Sequence, residues 1–284
     1  MTDCNSSPTP ANTTPLHLDK TGDEINESWE YPTVIGMLMY LSTNSRPDIA
    51  FAVHQCARFT HAPKASHATA VKRILRYLQG TKDKGMTLTP TKEMDVNCYV
   101  DADFAGTWSV EDDQEPVSVK SRSGHLLTFM GCPLLWCSKM QTQIALSTME
   151  AEYIALSNSM RDLIAVREIL KEILNIVFKT PADKSKPTYA TISRAFNKQN
   201  DSPNKLPKSI VYEDNTACLK FATMPKMSPR TKHIAIPYHF FRSKVEELEI
   251  KVVGINTENQ VADQFTKGLA QDKFVRDRKA LMGW

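Results

Sequence analysis

The sequence predicts an α/β fold in which a mixed sheet carries helices on its faces. Three strand candidates follow one another, VNCYVDADFAG, GHLLTFMG and LLWCSKM with QIALS, with the spacing expected for antiparallel neighbours. A long helix from Thr148 to about Leu174 comes next, and then the strands SIVYEDN and IKVVGI alternate with helices, the last from about Asn259 to the C-terminus. Consecutive strands followed by such alternation favour a mixed sheet flanked by helices.

Length and composition are those of an ordinary globular protein. The chain has 284 residues, 41% hydrophobic and 24% charged, and its net charge of +3 neither requires nor excludes a nucleic-acid partner. The six cysteines form no CxxC pair, which indicates a reduced, intracellular protein, cytoplasmic or nuclear. No window reaches the ~18 consecutive apolar residues of a spanning helix, so no membrane association is expected.

Composition divides the chain into three parts. Residues 1–28 are rich in Ser, Thr, Asn and Pro and predict a disordered tail, because they offer few apolar side chains to bury. Residues 29–90 carry three helical patterns and predict a helical segment, and residues 94–284 contain the predicted sheet. Within that last part, residues 179–208 are rich in Pro, Lys, Asn and Ser and predict an inserted loop.

Four acidic residues lie within short apolar segments, where an ionised carboxylate needs a partner or a metal to offset the loss of water. They are Asp101 in CYVDADF, Glu152 in EAEYIAL, Asp214 in IVYEDN and Asp263 in QVADQF. Alternation along the first strand places Asp101 and Asp103 on one face, although a solvent-facing strand side fits the same pattern. Each signal is weak by itself, and the four together predict one site.

Helix geometry separates Glu152 from its neighbour Glu150. Glu152 falls within the edge of the apolar stripe of the long helix and Glu150 well outside it, which favours Glu152 as the buried ligand. Glu150 is then a first-turn acid that the helix dipole stabilises. Asp263 lies in the first turn of the last predicted helix, whose dipole would likewise stabilise it as a surface residue. Asp214 is followed by good capping residues and could instead cap a helix.

If the four carboxylates converge, they require cations. Like charges about 4 Å apart repel by roughly 4 kcal/mol per pair at an effective dielectric constant near 20. A small set of carboxylate oxygens is the donor set that Mg²⁺ prefers, and two such ions can hold the attacking and leaving oxygens of a phosphodiester. The four acids therefore predict a site for two Mg²⁺ ions, which Mn²⁺ could also occupy.

Several ordered segments carry a family resemblance. YVDADFAG, LSTMEAEYIALS, VYEDNTACL, RTKHIAIPYHFFRSKV and NQVADQFTKGL together resemble the ribonuclease H domain of copia-type LTR retrotransposon Pol polyproteins. Upstream, YPTVIGMLMYLSTNSRPDIAFAV and AVKRILRYLQGT resemble the segment that joins the reverse transcriptase to that domain. The resemblance covers about residues 31–284.

This resemblance implies a ribonuclease H-like fold with a five-stranded mixed sheet, and Mg²⁺-dependent cleavage of the RNA strand of RNA/DNA hybrids. It carries the catalytic and metal-binding roles onto Asp101, Glu152, Asp214 and Asp263. It also implies a partner, the upstream reverse transcriptase domain of the same polyprotein. The paired aspartates of the polymerase motif YxDD are missing from the chain, so DNA synthesis is not expected from it alone.

Two departures from the family leave an alternative open. The loop GINTEN lacks the histidine that many ribonucleases H carry before the last acidic helix, and the 179–208 loop is longer than expected. A catalytically silent remnant that keeps the fold and nucleic-acid binding is therefore the alternative function. Lys120, Arg122, Arg230 and Lys232 are the candidate phosphate contacts, and a solvated basic cluster fits these residues equally well.

Overall fold

A five-stranded mixed sheet organises the C-terminal two thirds of the chain. The computed structural model describes residues 4–109, 115–179, 209–223, 235–248 and 250–284, with the backbone alone at 175–179 and 235–238. The strands are β1 (Val96–Asp103), β2 (Arg122–Phe129), β3 (Cys132–Met140), β4 (Ile210–Glu213) and β5 (Lys251–Gly254), in the order β3-β2-β1-β4-β5. The β1–β2 and β2–β3 pairs are antiparallel, and the β1–β4 and β4–β5 pairs are parallel. The predicted α/β class with a mixed sheet is confirmed.

The helices lie before the sheet and on both of its faces. They are α1 (Tyr31–Asn44), α2 (Ala50–Ala57), α3 (Ala65–Gly80), α4 (Thr148–Lys179), α5 (Thr216–Thr223), α6 (Ala235–Glu247), α7 (Asp263–Thr266) and α8 (Gln271–Met282), with short 3-10 turns at Pro47–Ile49 and Thr257–Asn259. None of these described helices is both long and apolar enough to cross a bilayer.

The long helix α4 covers one face of the sheet because its apolar stripe meets the apolar side of β1. Cys98 and Val100 of β1 are fully buried against this helix. Tyr153 of α4 is fully buried as well, with ring centroids 4.8 Å from Phe221 of α5 and 5.5 Å from Phe241 of α6. The opposite face carries α2, α7 and α8.

The helical segment α1–α3 has its own apolar core. That core also includes Leu269 and Phe274 from the C-terminal end of the chain, and α8 contacts the turn Pro47–Ile49. Helices α1–α3 pack directly against the C-terminal helices. The domain boundaries drawn from composition stay a prediction.

Residues 4–28 differ from the disordered tail that their composition predicts. They contain hardly any regular structure, yet Arg73 of α3 donates from Nη2 to the Thr9 hydroxyl at 2.7 Å. Ser66 donates to Asp19 at 2.6 Å, and Leu16 and Ile25 pack against the helical core. Composition reflects the segment alone, whereas helix α3 supplies the polar and apolar partners that the segment lacks.

The C-terminal region also corrects the sequence prediction. Instead of one helix from about Asn259, the chain forms α7, an extended break and α8, because Lys267 has extended dihedral angles. The backbone of Asn12 lies against Gly268 at the break, where a Cβ atom would be 1.9 Å from the Asn12 carbonyl oxygen. The segment QIALS is a bend before α4 and not a strand, and residues 180–208 of the predicted loop lie outside the described residues.

A buried ion pair fixes the turn between α1 and α2. The Arg46 guanidinium contacts both carboxylate oxygens of Asp48, at 2.9 Å from Nε and 2.8 Å from Nη2. The Tyr77 hydroxyl of α3 donates to the same carboxylate at 2.5 Å, and Arg46 also donates to Thr81 at 2.8 Å. Asp48 is 3% exposed and Arg46 6%, so each charge depends on the other for its neutralisation.

We expect Asp48→Ala to lower the free energy of unfolding by about 3 to 5 kcal/mol, because it leaves the Arg46 charge buried without its carboxylate. Urea unfolding followed by circular dichroism measures this change. Asp83→Ala, at an exposed turn position, serves as the control and should change the free energy by no more than about 0.5 kcal/mol. A loss below about 1 kcal/mol for Asp48→Ala would contradict the assigned role of the pair.

Candidate metal centre

The parallel pairing of β1 and β4 brings two of the predicted acids to one edge of the sheet. Tyr99 of β1 lies opposite Tyr212 of β4, and both strands run in the same direction. Asp101 lies two residues after Tyr99, and Asp214 two residues after Tyr212. The two carboxylates therefore reach the same edge from neighbouring strands.

Helices α4 and α7 bring the other two acids to this edge. Ligand oxygens of Asp101, Asp214 and Asp263 lie within 4.8 Å of one another, and so do those of Glu152, Glu213 and Asp214. We call these five residues the carboxylate cluster. All four acids predicted from the sequence belong to it, and Asp214 is common to both groups of three.

The cluster is buried apart from one member. Asp101 is 2% exposed, Glu152 4%, Glu213 0% and Asp263 1%, while Asp214 is partly exposed. Asp101 faces the side of the sheet that α7 covers. Glu213 faces α4, because it lies two residues after the core residue Val211 and therefore on the same face of β4. Asp214 lies at the strand end between the two sides, which explains why it joins both groups.

The structure separates Glu152 from Glu150 by their contacts. Glu150 is also buried, but its Oε2 accepts a hydrogen bond from the Leu146 backbone N–H at 3.0 Å, so its carboxylate closes the turn before α4. Glu152 belongs to the carboxylate cluster, as the apolar stripe of the helix favoured. Its role as a metal ligand stays a prediction.

Capping of α5 does not require Asp214. The Asn215 side chain accepts hydrogen bonds from the backbone N–H groups of Ala217 and Cys218, both at 3.0 Å. These are the N–H groups that a capping side chain satisfies at a helix start. Of the two roles that the sequence left open for Asp214, the cap is therefore filled by its neighbour.

A glycine on β2 allows α7 to approach the sheet. Gly124 is paired with Asp101 across the β1–β2 ladder. A Cβ atom at this position would lie 2.7 Å from the Thr266 methyl carbon and 2.8 Å from Phe265 Cβ. Because no side chain separates them, α7 lies directly on the strand pair and brings Asp263 to Asp101.

Burial and mutual repulsion disfavour ionisation of three members of the cluster. Burial raises the pKa of Asp101 to about 7, with the charges of Asp263 and Asp214 acting in the same direction and Lys267 opposing them. Burial also raises the pKa of Glu152 to about 11, and the neighbouring charges of Glu213, Asp101 and Asp214 add to the increase. Burial likewise raises the pKa of Glu213 well above its ordinary value.

Three polar groups next to the cluster offset part of this cost. The Thr266 hydroxyl donates a short hydrogen bond to Asp101 Oδ2. The Lys267 ammonium lies 2.7 Å from Asp263 Oδ1, and the Lys273 ammonium lies 3.2 Å from Asp263 Oδ2. These groups compensate the Asp101 and Asp263 side of the cluster.

The residues of the cluster fit a hard divalent cation. Their donors are carboxylate oxygens, the ligand type that Mg²⁺ and Mn²⁺ prefer. One buried oxygen of Glu152 and one of Glu213, Oε2 in each case, have no hydrogen-bond partner among the described residues. A buried polar atom without a partner costs free energy, and a bound cation would remove that cost.

Sequence reasoning missed Glu213. Its signal was present in IVYED, because period-two alternation places Glu213 on the same face as Val211, which is a core residue. An acid at an inward-facing strand position next to Asp214 was therefore a further candidate for the site.

Two of the four predicted phosphate contacts, Lys120 and Arg122, lie among the described residues. Arg122 is 3% exposed and donates to the Ser138 hydroxyl at 3.2 Å, so it does not present its guanidinium to solvent as a phosphate contact requires. Arg122 is the first residue of β2, and its guanidinium lies under α2, 5.4 Å from the Phe51 ring. Lys120 is partly exposed, and Arg230 and Lys232 lie outside the described residues.

The chain is similar in sequence to retroelement proteins. No protein-family model matches the chain. The retrovirus-related Pol polyprotein from transposon RE2 of Arabidopsis thaliana is 31% identical over 266 residues, which are 94% of this chain and 16% of that protein. The retrovirus-related Pol polyprotein from transposon TNT 1-94 of Nicotiana tabacum is 33% identical over 244 residues, which are 86% of this chain and 16% of that protein.

Among solved structures, the N-terminal RNase H domain of rv2228c from Mycobacterium tuberculosis superposes with a TM-score of 0.37 and 10% identity, over 66% of this chain and 99% of that domain. The five-stranded mixed sheet with helices on both faces is the architecture that the resemblance implied. The chain spans about a sixth of the polyproteins that it matches, 16% of each, and over that span it is similar to Pol polyproteins of copia-type retrotransposons.

Proposed function

We propose that this chain is the ribonuclease H part of a retrotransposon Pol polyprotein and hydrolyses the RNA strand of RNA/DNA hybrids with the help of divalent metal ions. One observation carries the proposal. Five carboxylates from β1, α4, the end of β4 and α7 meet at one edge of the sheet, and four of them are buried. Such an arrangement is costly for stability, which favours a catalytic or metal-binding purpose.

The cluster suggests how two ions would be held. Asp101, Asp214 and Asp263 would hold one ion, Glu152, Glu213 and Asp214 would hold the other, and Asp214 would be shared. Bound Mg²⁺ or Mn²⁺ supplies an activated water and neutralises charge that develops on the phosphate.

The residues of the chain position these donors. Gly124 lets α7 lie against the sheet, Thr266 holds the Asp101 carboxylate through its hydroxyl, and the Asn215 cap fixes the start of α5 behind Asp214. A carboxylate that is already held in place loses little conformational freedom when it binds an ion. Partly exposed Asp214 marks the side from which ions and a phosphate would enter.

The resemblance to Pol polyproteins supports the proposed substrate class and partners. A ribonuclease H would recognise a hybrid by its 2′-hydroxyl groups and A-like shape and not by its base sequence. The upstream reverse transcriptase domain of the same polyprotein would produce this hybrid and is the proposed partner. Such a reaction would take place inside the cell, in the cytoplasm or the nucleus.

We expect the purified chain to cleave the RNA strand of a labelled hybrid in Mg²⁺ or Mn²⁺, and to lose this activity in EDTA. Asp101→Asn and Glu152→Gln should each reduce the cleavage rate by on the order of a hundredfold or more, because each removes an ionisable donor of the cluster. Gel analysis of the RNA products under single-turnover conditions measures these rates.

Two controls match these substitutions. Asp83→Asn changes an exposed aspartate, and Glu172→Gln changes an exposed glutamate on the same helix as Glu152, so both should retain the wild-type rate. Cleavage by Asp101→Asn or Glu152→Gln at the wild-type rate would refute the site assignment. A wild-type chain that binds the hybrid without cutting it would indicate the silent remnant.

The metal-free protein should become less stable as the pH rises. The pKa of Asp101 is about 7 in the folded chain and 3.8 in its ordinary state, so the folded state retains a proton that the unfolded state releases. The stability that this proton provides is complete below the unfolded value and is lost as the pH rises through about 7. For Asp101 alone, the free energy of unfolding should fall by about 1.4 kcal/mol per pH unit between pH 3.8 and about 7.

Urea unfolding in EDTA at several pH values between these limits measures the effect. Asp101→Asn should have a shallower dependence on pH than the wild type, and Asp83→Asn should match the wild type. Equal slopes for the wild type and Asp101→Asn would show that Asp101 ionises normally in the fold.

A further inference from the structure

We propose that Lys267 is a built-in counter-cation, which holds Asp101 and Asp263 together in the metal-free protein and gives up this position when a divalent ion binds. The inference rests on the proposed function and adds to it a residue that sets the affinity of the metal site. It comes from the position of one ammonium group between two of the proposed ligands.

The backbone places Lys267 directly against the cluster. Lys267 follows α7 and donates its N–H to the Asp263 carbonyl oxygen at 3.1 Å, which closes the helix. Its side chain then turns back, with Nζ 2.7 Å from Asp263 Oδ1 and 3.8 Å from Asp101 Oδ2. The ammonium thus contacts two of the three residues that would share the first ion.

A second lysine, Lys273, also pairs with Asp263 and can be compared with Lys267. Lys273 of α8 lies 3.2 Å from Asp263 Oδ2, so both oxygens of Asp263 face an ammonium group. Lys273 also contacts Asp277 at 3.4 Å and donates to the Thr257 carbonyl oxygen at 3.0 Å, and its side chain is only 18% exposed. These contacts hold Lys273 in place whether or not Asp263 binds a metal.

Lys267 is held much less firmly. Its side chain is 41% exposed, and its ion pairs are with the carboxylates that a metal would bind. A lysine has a flexible stem and a well-hydrated head group, so it can move into water at small cost once a divalent ion takes over its carboxylates. Lys267 is therefore the group that a metal would displace, and Lys273 is a permanent partner of Asp263.

Displacement of the Lys267 ammonium by a metal ion has two thermodynamic consequences. In the absence of metal, the Lys267 ammonium reduces the repulsion between Asp101 and Asp263 and so stabilises the fold. When a metal binds, the free energy of these ion pairs must be given up, which lowers the apparent affinity for the ion. Removing the charge should therefore tighten metal binding and destabilise the metal-free protein at the same time.

Isothermal titration of Mg²⁺ into the full chain tests this. Lys267→Met should lower the Kd for Mg²⁺ by about tenfold, while Lys267→Arg, which keeps the charge, should stay within about threefold of the wild type. Lys279→Met removes an exposed charge from α8 and controls for the change in net charge, so its Kd should equal that of the wild type. In EDTA, the melting temperature of Lys267→Met should fall, and the rise on adding Mg²⁺ should be larger than for the wild type.

An affinity of Lys267→Met that is unchanged or weaker, or an equal gain in Lys279→Met, would overturn the role of Lys267 while leaving the metal site intact. Absence of Mg²⁺ binding in both the wild type and Lys267→Met would instead refute the proposed metal site, and the inference with it. If circular dichroism shows that Lys267→Met does not fold, Lys267→Gln replaces it, with the same expected Kd and the same contrary results.

Discussion

The parallel pairing of β1 with β4 is the constraint on which the carboxylate cluster depends. Antiparallel strands would place Asp101 and Asp214 at opposite ends of the sheet, whereas parallel strands end at the same edge. The long connection through α4 that such a pairing needs also delivers Glu152 to that edge. One feature of the topology thus brings together three acids that are far apart in the sequence.

Burial of the carboxylate cluster has an electrostatic cost that other groups of the chain only partly offset. On the side of α7, the Thr266 hydroxyl and two lysines compensate Asp101 and Asp263. On the side of α4, burial raises the pKa values of Glu152 and Glu213, and neighbouring carboxylate charges add to the increase. The α7 side therefore combines cations from the chain with a raised pKa at Asp101, and the α4 side relies on retained protons.

Much of the sheet and of the site could be predicted from local patterns. The strands around Asp101 and Asp214 have strong apolar alternation, and Glu152 lies on the apolar stripe of α4, so short-range periodicity was sufficient there. The same alternation contained the signal for Glu213, which was overlooked because the more conspicuous Asp214 follows it.

The errors arose where distant parts of the chain meet. The break after α7 lies where the Asn12 backbone approaches Gly268, and no local pattern near residue 268 contains that contact. Residues 4–28 are ordered by α3, and Arg122 is buried because α2 lies over the start of β2. Each of these depends on packing between segments that the sequence does not place side by side.

The central claim is that the carboxylate cluster binds divalent ions, and anomalous diffraction from crystals soaked in Mn²⁺ tests it most directly. The account predicts anomalous peaks bounded by the carboxylates of Asp101, Asp214 and Asp263 and by those of Glu152, Glu213 and Asp214. Crystals that diffract well, contain Mn²⁺ in the surrounding solution and show no anomalous peak among these residues would contradict it.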